Sequence, residues 1–219
     1  MSSNAMPRYS EFYSAYAAGR LDPGFALLVE TQGALRADVR EAVAASESIA
    51  GALLETSDVV ELTPGAADRA LALIDALAPD TPSAPPPQAL DDGLEILPDQ
   101  LRDFALAAAA ARGWKMAAPG IRRLSLDVGS EAEVELYKIQ PGAAVPRHTH
   151  AGSEYTLVVT GGFSDASGNY GPGDLAVKGP DDTHQPIGDP GEVCYALAVR
   201  DGGLRFTGVM GVIQRLLGA

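Results

Sequence analysis

The chain has 219 residues, 46% of them apolar, and a formal charge of −13 from 16 basic and 29 acidic side chains. That length allows one large domain or two small ones, each with a core, while the acidic balance argues against nucleic acid as a direct partner, because phosphate binding needs clustered Lys and Arg. No run of eighteen apolar residues exists to span a membrane, no secretory leader pattern opens the chain, and Cys194, the single cysteine, leaves neither an internal disulfide nor a Cys-rich zinc site. A reducing, cytoplasmic setting is expected. Ser3-Asn4-Ala5-Met6 reads as an expression remnant ahead of Met6 and is set aside.

The first eighty residues read as helices. Glu11 to Ala18 stops at Gly19, and Asp22-Pro23 opens a second helix, with Asp22 as N-cap and Pro23 at the first helical position. A longer helix from about Leu35 to Leu54 carries Leu35, Val39, Val43, Ala50 and Leu53 on one stripe. Thr63-Pro64 repeats the cap-and-proline start for a fourth helix, with Leu71, Ile74 and Leu77 expected inward. Short connections favour an antiparallel bundle, and with few aromatics its core is modest, so a partner is expected to support it.

Pro79, Pro82, Pro85, Pro86 and Pro87 make the next stretch a semi-rigid linker that separates two modules. Pro98 then starts a helix, Asp99 to Arg112, with Leu101, Phe104 and Ala108 inward. From Trp114 the period changes to two. Arg122 to Leu126 and Glu131 to Leu136 alternate, the latter with its carboxylates on one face. Tyr155 to Thr160, Asp174 to Lys178, Val193 to Arg200 and Leu204 to Val209 supply further strands, with turns at Gly161-Gly162, Ser167-Gly168-Asn169, Gly171-Pro172-Gly173 and Asp201-Gly202-Gly203. Short strands spaced by such turns build a sandwich or barrel. Cys194 is expected as a buried strand residue, and Val212 to Leu217 as a closing helical turn.

All three histidines fall in one stretch, with a glutamate among them: Gly142-x5-His148-x-His150-x3-Glu154-x6-Gly161, then Gly173-Asp174 and Pro180-x3-His184. In a strand, His148 and His150 point to the same side. Glu154 follows from the next strand or the bend before it, and His184 is brought in from thirty residues further on. Imidazoles plus one carboxylate suit zinc, iron, manganese or nickel.

These two motifs resemble the pair that marks the cupins, although Ile187 or Gly188 stands near where the second often ends in asparagine. The resemblance implies a small β-barrel (a double-stranded β-helix) with one divalent metal on His148, His150, Glu154 and His184. A helical module joined by a linker to such a barrel is similar to the ChrR-type anti-sigma factors. The matching text is Ala15-Tyr16-Ala17-Ala18-Gly19-Arg20-Leu21, then Arg40 and Gly51-Ala52-Leu53-Leu54-Glu55. The similarity implies an α+β chain: a helical anti-sigma-like domain at 6–79, a linker at 80–96 and a metal-binding cupin at 97–219. The helices would hold an extracytoplasmic-function sigma factor inactive, and the cupin would sense or relay a stress signal, a small molecule or an oxidant. Zinc is the first choice of metal because the resembled regulators hold it. That family's helical domain also carries His-x3-Cys-x2-Cys, and Gln32, Arg36 and Val39 occupy those places here, none of them able to replace a thiolate or imidazole.

Two functions remain open. One is a cytoplasmic regulator that meets a basic sigma factor through an acidic surface, without nucleic acid or membrane. The other is a metal-dependent cupin enzyme, of dioxygenase or isomerase type, with helices used for dimerisation. Tyr137, Tyr155, Lys178, Asp182 and Gln185 are the groups available for acid–base work, each read first as a surface or packing residue. No catalytic or cofactor-binding residue is assigned, and the regulator is favoured.

Overall fold

Three helices form the N-terminal module: α1 (Ser10–Ala17), α2 (Pro23–Leu35) and α3 (Ala37–Glu55). The computed structural model describes residues 10–77, 93–201 and 204–206. Most of the proline-rich stretch and the expected closing turn at 212–217 lie outside them. The Asp22 side chain caps α2 by accepting from the Gly24 N–H at 2.9 Å, with Pro23 first in the helix as expected. The core shared by the three helices is small, its buried members being Tyr13, Val29 and Val39.

Two expectations for this half are corrected. The helix expected from Thr63-Pro64 begins later, as α4 (Ala66–Asp75), because Thr63 and Pro64 are used in a turn that receives the Arg69 guanidinium. Its stripe faces solvent: Leu71, Ile74 and Leu77 are 59%, 62% and 72% exposed. Leu53, expected on the inward stripe of α3, is 65% exposed. The physical reason is that an apolar stripe needs a facing surface: α1 and α2 cover α3 around Val39 and Val43, and α2 gives its other face to the barrel.

A single 3₁₀ turn (Leu94–Ile96) leads to α5 (Asp99–Arg112), which buries Leu101, Ala105 and Ala108 at helical spacing. Phe104, expected inward, is 38% exposed, and Ala105 takes the place. The strands are β1 (Lys115–Ala118), β2 (Ile121–Ser125), β3 (Glu133–Ile139), β4 (His148–His150), β5 (Glu154–Thr160), β6 (Phe163–Asp165), β7 (Gly168–Tyr170), β8 (Leu175–Lys178), β9 (Ile187–Gly188), β10 (Cys194–Arg200) and β11 (Leu204–Phe206). The turn expected at Ser167-Gly168-Asn169 is Ala166-Ser167, and Gly168 and Asn169 already belong to β7. One antiparallel sheet has the order β1-β2-β3-β10-β5-β8; the pair β11-β4 and the trio β7-β6-β9 make the other wall.

The centre of the large sheet is covered on both faces, which explains why all seven residues of β10 are buried. Toward the barrel interior, Cys194 and Ala196 join Ile121, Ile139, Val158, Phe163 and Ala176. Burial pushes the Cys194 thiol up to about 12, so it stays protonated and inert. Toward the helices, Tyr195, Leu197 and Val199 join Leu136, Leu157, Leu101, Leu27 and Leu28 in one core. Leu27 and Leu28 come from α2. The helical module is therefore packed against the cupin sheet and not merely tethered to it, contrary to the separation expected from a proline linker. Complete burial of a Leu contributes about 1.5–3 kcal/mol.

Candidate metal centre

β4 places His148 and His150 on one face, and both are buried. Glu154 is the first residue of β5 and reaches the same point from the opposite wall. His184 arrives as expected from far along the chain: its backbone pairs with His148 in an antiparallel bridge, N–H to carbonyl at 3.0 and 3.1 Å. One ligand atom from each of the four lies within 4.8 Å of the others.

The hydrogen bonds settle which nitrogens face the centre. The Nδ1 of His148 is 2.8 Å from the Pro146 carbonyl, which can only accept, so Nδ1 carries the proton. The Nδ1 of His184 is 3.1 Å from the Asp165 carboxylate and donates in the same way. Both Nε2 atoms therefore present lone pairs, yet they stand 3.0 Å apart, and His150 Nε2 is also 3.0 Å from His184 Nε2. Lone pairs converging at that distance repel unless a cation lies among them. The donor set thus fits a metal such as zinc, whose imidazole bonds of about 2.0–2.1 Å bring nitrogens this close. Burial pushes His148 down to about 4 and lowers His150 as well, which keeps the imidazoles neutral and able to donate lone pairs. His150 Nδ1 is buried without a hydrogen-bond partner, 3.8 Å from Glu154 Oε2.

Around the ligands stand charged groups that sequence reasoning did not assign. Asp165, whose side chain is fully buried, takes His184 Nδ1 on one side and Lys178 Nζ at 2.9 Å on the other. Burial alone would raise its carboxyl, but the Lys178 bond and the Ser167 N–H outweigh it and hold the pKa low. A carboxylate on the far nitrogen fixes the ring and makes it a better ligand. Arg200, 2% exposed, is the larger device. It donates to Glu154 Oε2 at 3.3 Å, to Glu135 at 2.5 Å, to Glu133 at 3.0 Å and to the Tyr137 hydroxyl at 3.1 Å. Glu133 and Glu135 are the carboxylates expected on one face of their strand, and Arg200 is what that face meets. Burial opposes ionisation of Glu135, but Arg200, Tyr137 and Arg123 overcome it and lower its pKa. Asp165 had no signal in the sequence; Arg200 had one, a charge ending an apolar strand.

Beside the ligands lies a cavity of about 50 Å³, walled by Ile139, Val145, Phe163, Pro186, Ala196 and Ala198. Of the groups considered for acid–base work, Tyr137 lines this cavity, but its hydroxyl is committed to Glu135 at 2.6 Å. Lys178 is paired with Asp165, Tyr155 faces the helices, and Asp182 and Gln185 are exposed. The residues at the positions of the family's helical zinc motif do structural work. Gln32 donates to the Gly173 carbonyl at 3.1 Å, Arg36 pairs with Asp38 and Asp174, and Val39 is buried with Tyr13.

A helical module packed on a cupin barrel, with three histidines and a glutamate converging inside, defines a cupin of two-part build whose cluster could hold a metal ion. Residues 102–201 match the ChrR Cupin-like domain family. The chain is 33% identical over 193 residues to anti-sigma-E factor ChrR of Cereibacter sphaeroides, covering 88% of each protein. It also aligns with a chain in the crystal structure of Rhodobacter sphaeroides SigE in complex with the anti-sigma ChrR. That alignment is 30% identical with a TM-score of 0.71, over 90% of this chain and 99% of the other. The protein belongs to the ChrR family of anti-sigma factors. No helix among its described residues is long and apolar enough to cross a membrane.

Proposed function

We propose that this chain holds a sigma factor inactive in the cytoplasm through its helical domain, 6–79, while the cupin domain, 97–219, carries one divalent metal and senses the signal for release. The observation that carries the sigma-factor reading is the apolar face left uncovered from the end of α3 through α4. Ile49, Leu53 and Leu54 are 64–74% exposed, Val59, Val60 and Leu62 are 77–94% exposed, and Leu71, Leu73, Ile74 and Leu77 follow at 59–72%. Exposed large apolar side chains in this number support a protein interface. The net charge of −13 supports a basic partner and would steer its approach.

For the metal, His148, His150, Glu154 and His184 supply three neutral imidazoles and one carboxylate, and zinc is favoured by this borderline-soft set. The metal would lie beside the cavity that His148 and Glu154 help to line, and a volume of about 50 Å³ suits a signal molecule or oxidant of a few heavy atoms. The polar groups around that cavity are already hydrogen-bonded to one another, which supports sensing over turnover.

The test is capture from native lysate with the full chain as bait. A sigma factor in one-to-one yield is expected, and Leu53→Glu with Ile74→Glu should lose it without unfolding the chain. Capture of no sigma factor, or capture indifferent to those charges, would refute the reading.

A further inference from the structure

The side chains at the start of β5 connect the metal centre to the helical module. Successive residues of a strand point to opposite faces. Glu154 points into the barrel, and Tyr155 points out onto the helices, where its ring meets Phe12 at 5.1 Å and Phe25 at 5.4 Å in edge-on contacts. Phe12 and Phe25 lie 5.5 Å apart, so the three rings close a cluster that joins α1, α2 and β5. At the other end of α2, Gln32 donates to the Gly173 carbonyl at 3.1 Å and Arg36 reaches Asp174 at 3.3 Å. Gly173 has φ +85, and a side chain there would meet Arg36 Cγ at 2.7 Å. Gly24, at the start of α2, sits as tightly on β3, with Val134 Cγ2 at 2.7 Å from where a Cβ would stand.

We propose that this docking surface couples the two halves. Cation binding at Glu154 fixes the first residues of β5, which fixes Tyr155, which holds α1 and α2 on the barrel. The inference rests on the metal reading given above and deepens it by naming the contact that carries the signal. Its two states are the helices docked and the helices loosened. The start of β5 is the element able to give way, because it is where pairing with β10 and β8 ends, at Glu154 opposite Arg200 and Lys178. Without a cation, Arg200 is shared among Glu154, Glu133 and Glu135, and among the described residues it is the one permanently charged side chain paired with Glu154. Linkage requires the effect to be reciprocal: if the metal tightens docking, docking must tighten the metal.

The experiment uses the full chain and Zn²⁺ alone as probe. Zinc affinity is measured by competition with a chromophoric chelator, and amide exchange is followed in residues 10–35 with and without zinc. Zinc is expected to slow exchange across α1 and α2 by about tenfold. Tyr155→Ala is expected to weaken zinc three- to tenfold although no ligand is touched, and Tyr155→Phe, which keeps the ring, to restore it. Gln32→Ala with Arg36→Ala, on the helical side and remote from every ligand, should weaken zinc in the same direction even where Tyr155→Ala fails to fold. Wild-type protein that binds zinc, with helix exchange unchanged and the Gln32, Arg36 variant at full affinity, would overturn the coupling alone. Failure of the wild type to bind zinc would overturn the metal reading and the coupling with it.

Discussion

Replacing Arg200 by Met keeps an unbranched apolar stem but removes the guanidinium, so the buried carboxylates lose both its charge and its hydrogen bonds. Glu133 is 60% exposed and its pair with Arg200 contributes at most about 1 kcal/mol. Glu135 and Glu154 are 6% and 9% exposed, and both lose their buried counter-charge. Breaking a buried pair by deleting one partner costs about 3–5 kcal/mol, equivalent to a fall in Tm of roughly 6–20 °C for a chain of this size. The pH dependence gives a sharper test. In the wild type the Glu135 carboxyl is held below its ordinary value, so its contribution is present above the unfolded pKa and falls as pH drops through the folded one. In the variant Arg123 and Tyr137 remain beside that carboxyl, but loss of Arg200 moves it up from its wild-type position, so the folded variant takes up the proton at higher pH than the folded wild type. The gap between the two proteins should narrow from pH 7 to pH 5 in urea unfolding of metal-free samples. Zinc, another cation beside Glu154, should restore part of the loss. A difference under about 1 kcal/mol at pH 7, or an equal difference at both pH values, would refute this account.

Metal analysis of the full chain should give one divalent ion, and His148→Ala with His150→Ala should give none. Glu154→Gln should keep the fold and lower the affinity, read by chelator competition. Metal-free protein should lose stability as pH falls from about 6.5 toward 4: burial pushes His148 down to about 4, so the unfolded chain takes up the proton first. Urea midpoints at pH 7, 6 and 5 would show it, and a flat profile would count against it. Leu28→Ala should cost about 2–5 kcal/mol and shift one unfolding transition shared by helices and barrel, because Leu28 packs into the core that holds Leu136, Leu157 and Leu197. Two separate transitions, with only the helical one moved, would show that docking does not join the halves.

The ligand spacing was legible because a strand places alternate residues on one side, and His148 and His150 need nothing else to share a face. The cap at Asp22 and the strands were legible for similarly local reasons. Asp165 was not, since it reaches His184 only through the fold of the β6-β7 hairpin, which no pattern near either residue encodes. The docking of α2 had a signal that went unread: Phe25-Ala26-Leu27-Leu28-Val29 has no polar side, and a helix that is apolar all round is buried on more than one face. α4 shows the converse. Its stripe at Leu71, Ile74 and Leu77 was correctly periodic, but periodicity states only that a face wants covering, not whether this chain or another covers it.

That distinction bears on how the two halves can work together. Both faces of α2 are occupied, one by Tyr13 and Val39 through Val29, the other by the cupin sheet through Leu27 and Leu28. A protein partner that binds this chain therefore has no apolar surface to gain on α2 without undoing the barrel contact. The surface still available lies from the end of α3 through α4. A partner seated there needs no rearrangement of the cupin to bind. Release is a different matter: α3 is held by α1 and α2 through Val39, Tyr13 and Val29, and these helices are the ones that rest on Tyr155. Loosening the start of β5 removes the support of the helices that position α3, while leaving the partner's own contacts chemically unchanged. Binding and release can then be governed by different residues, with affinity set by the exposed leucines and the response set by the docked ones.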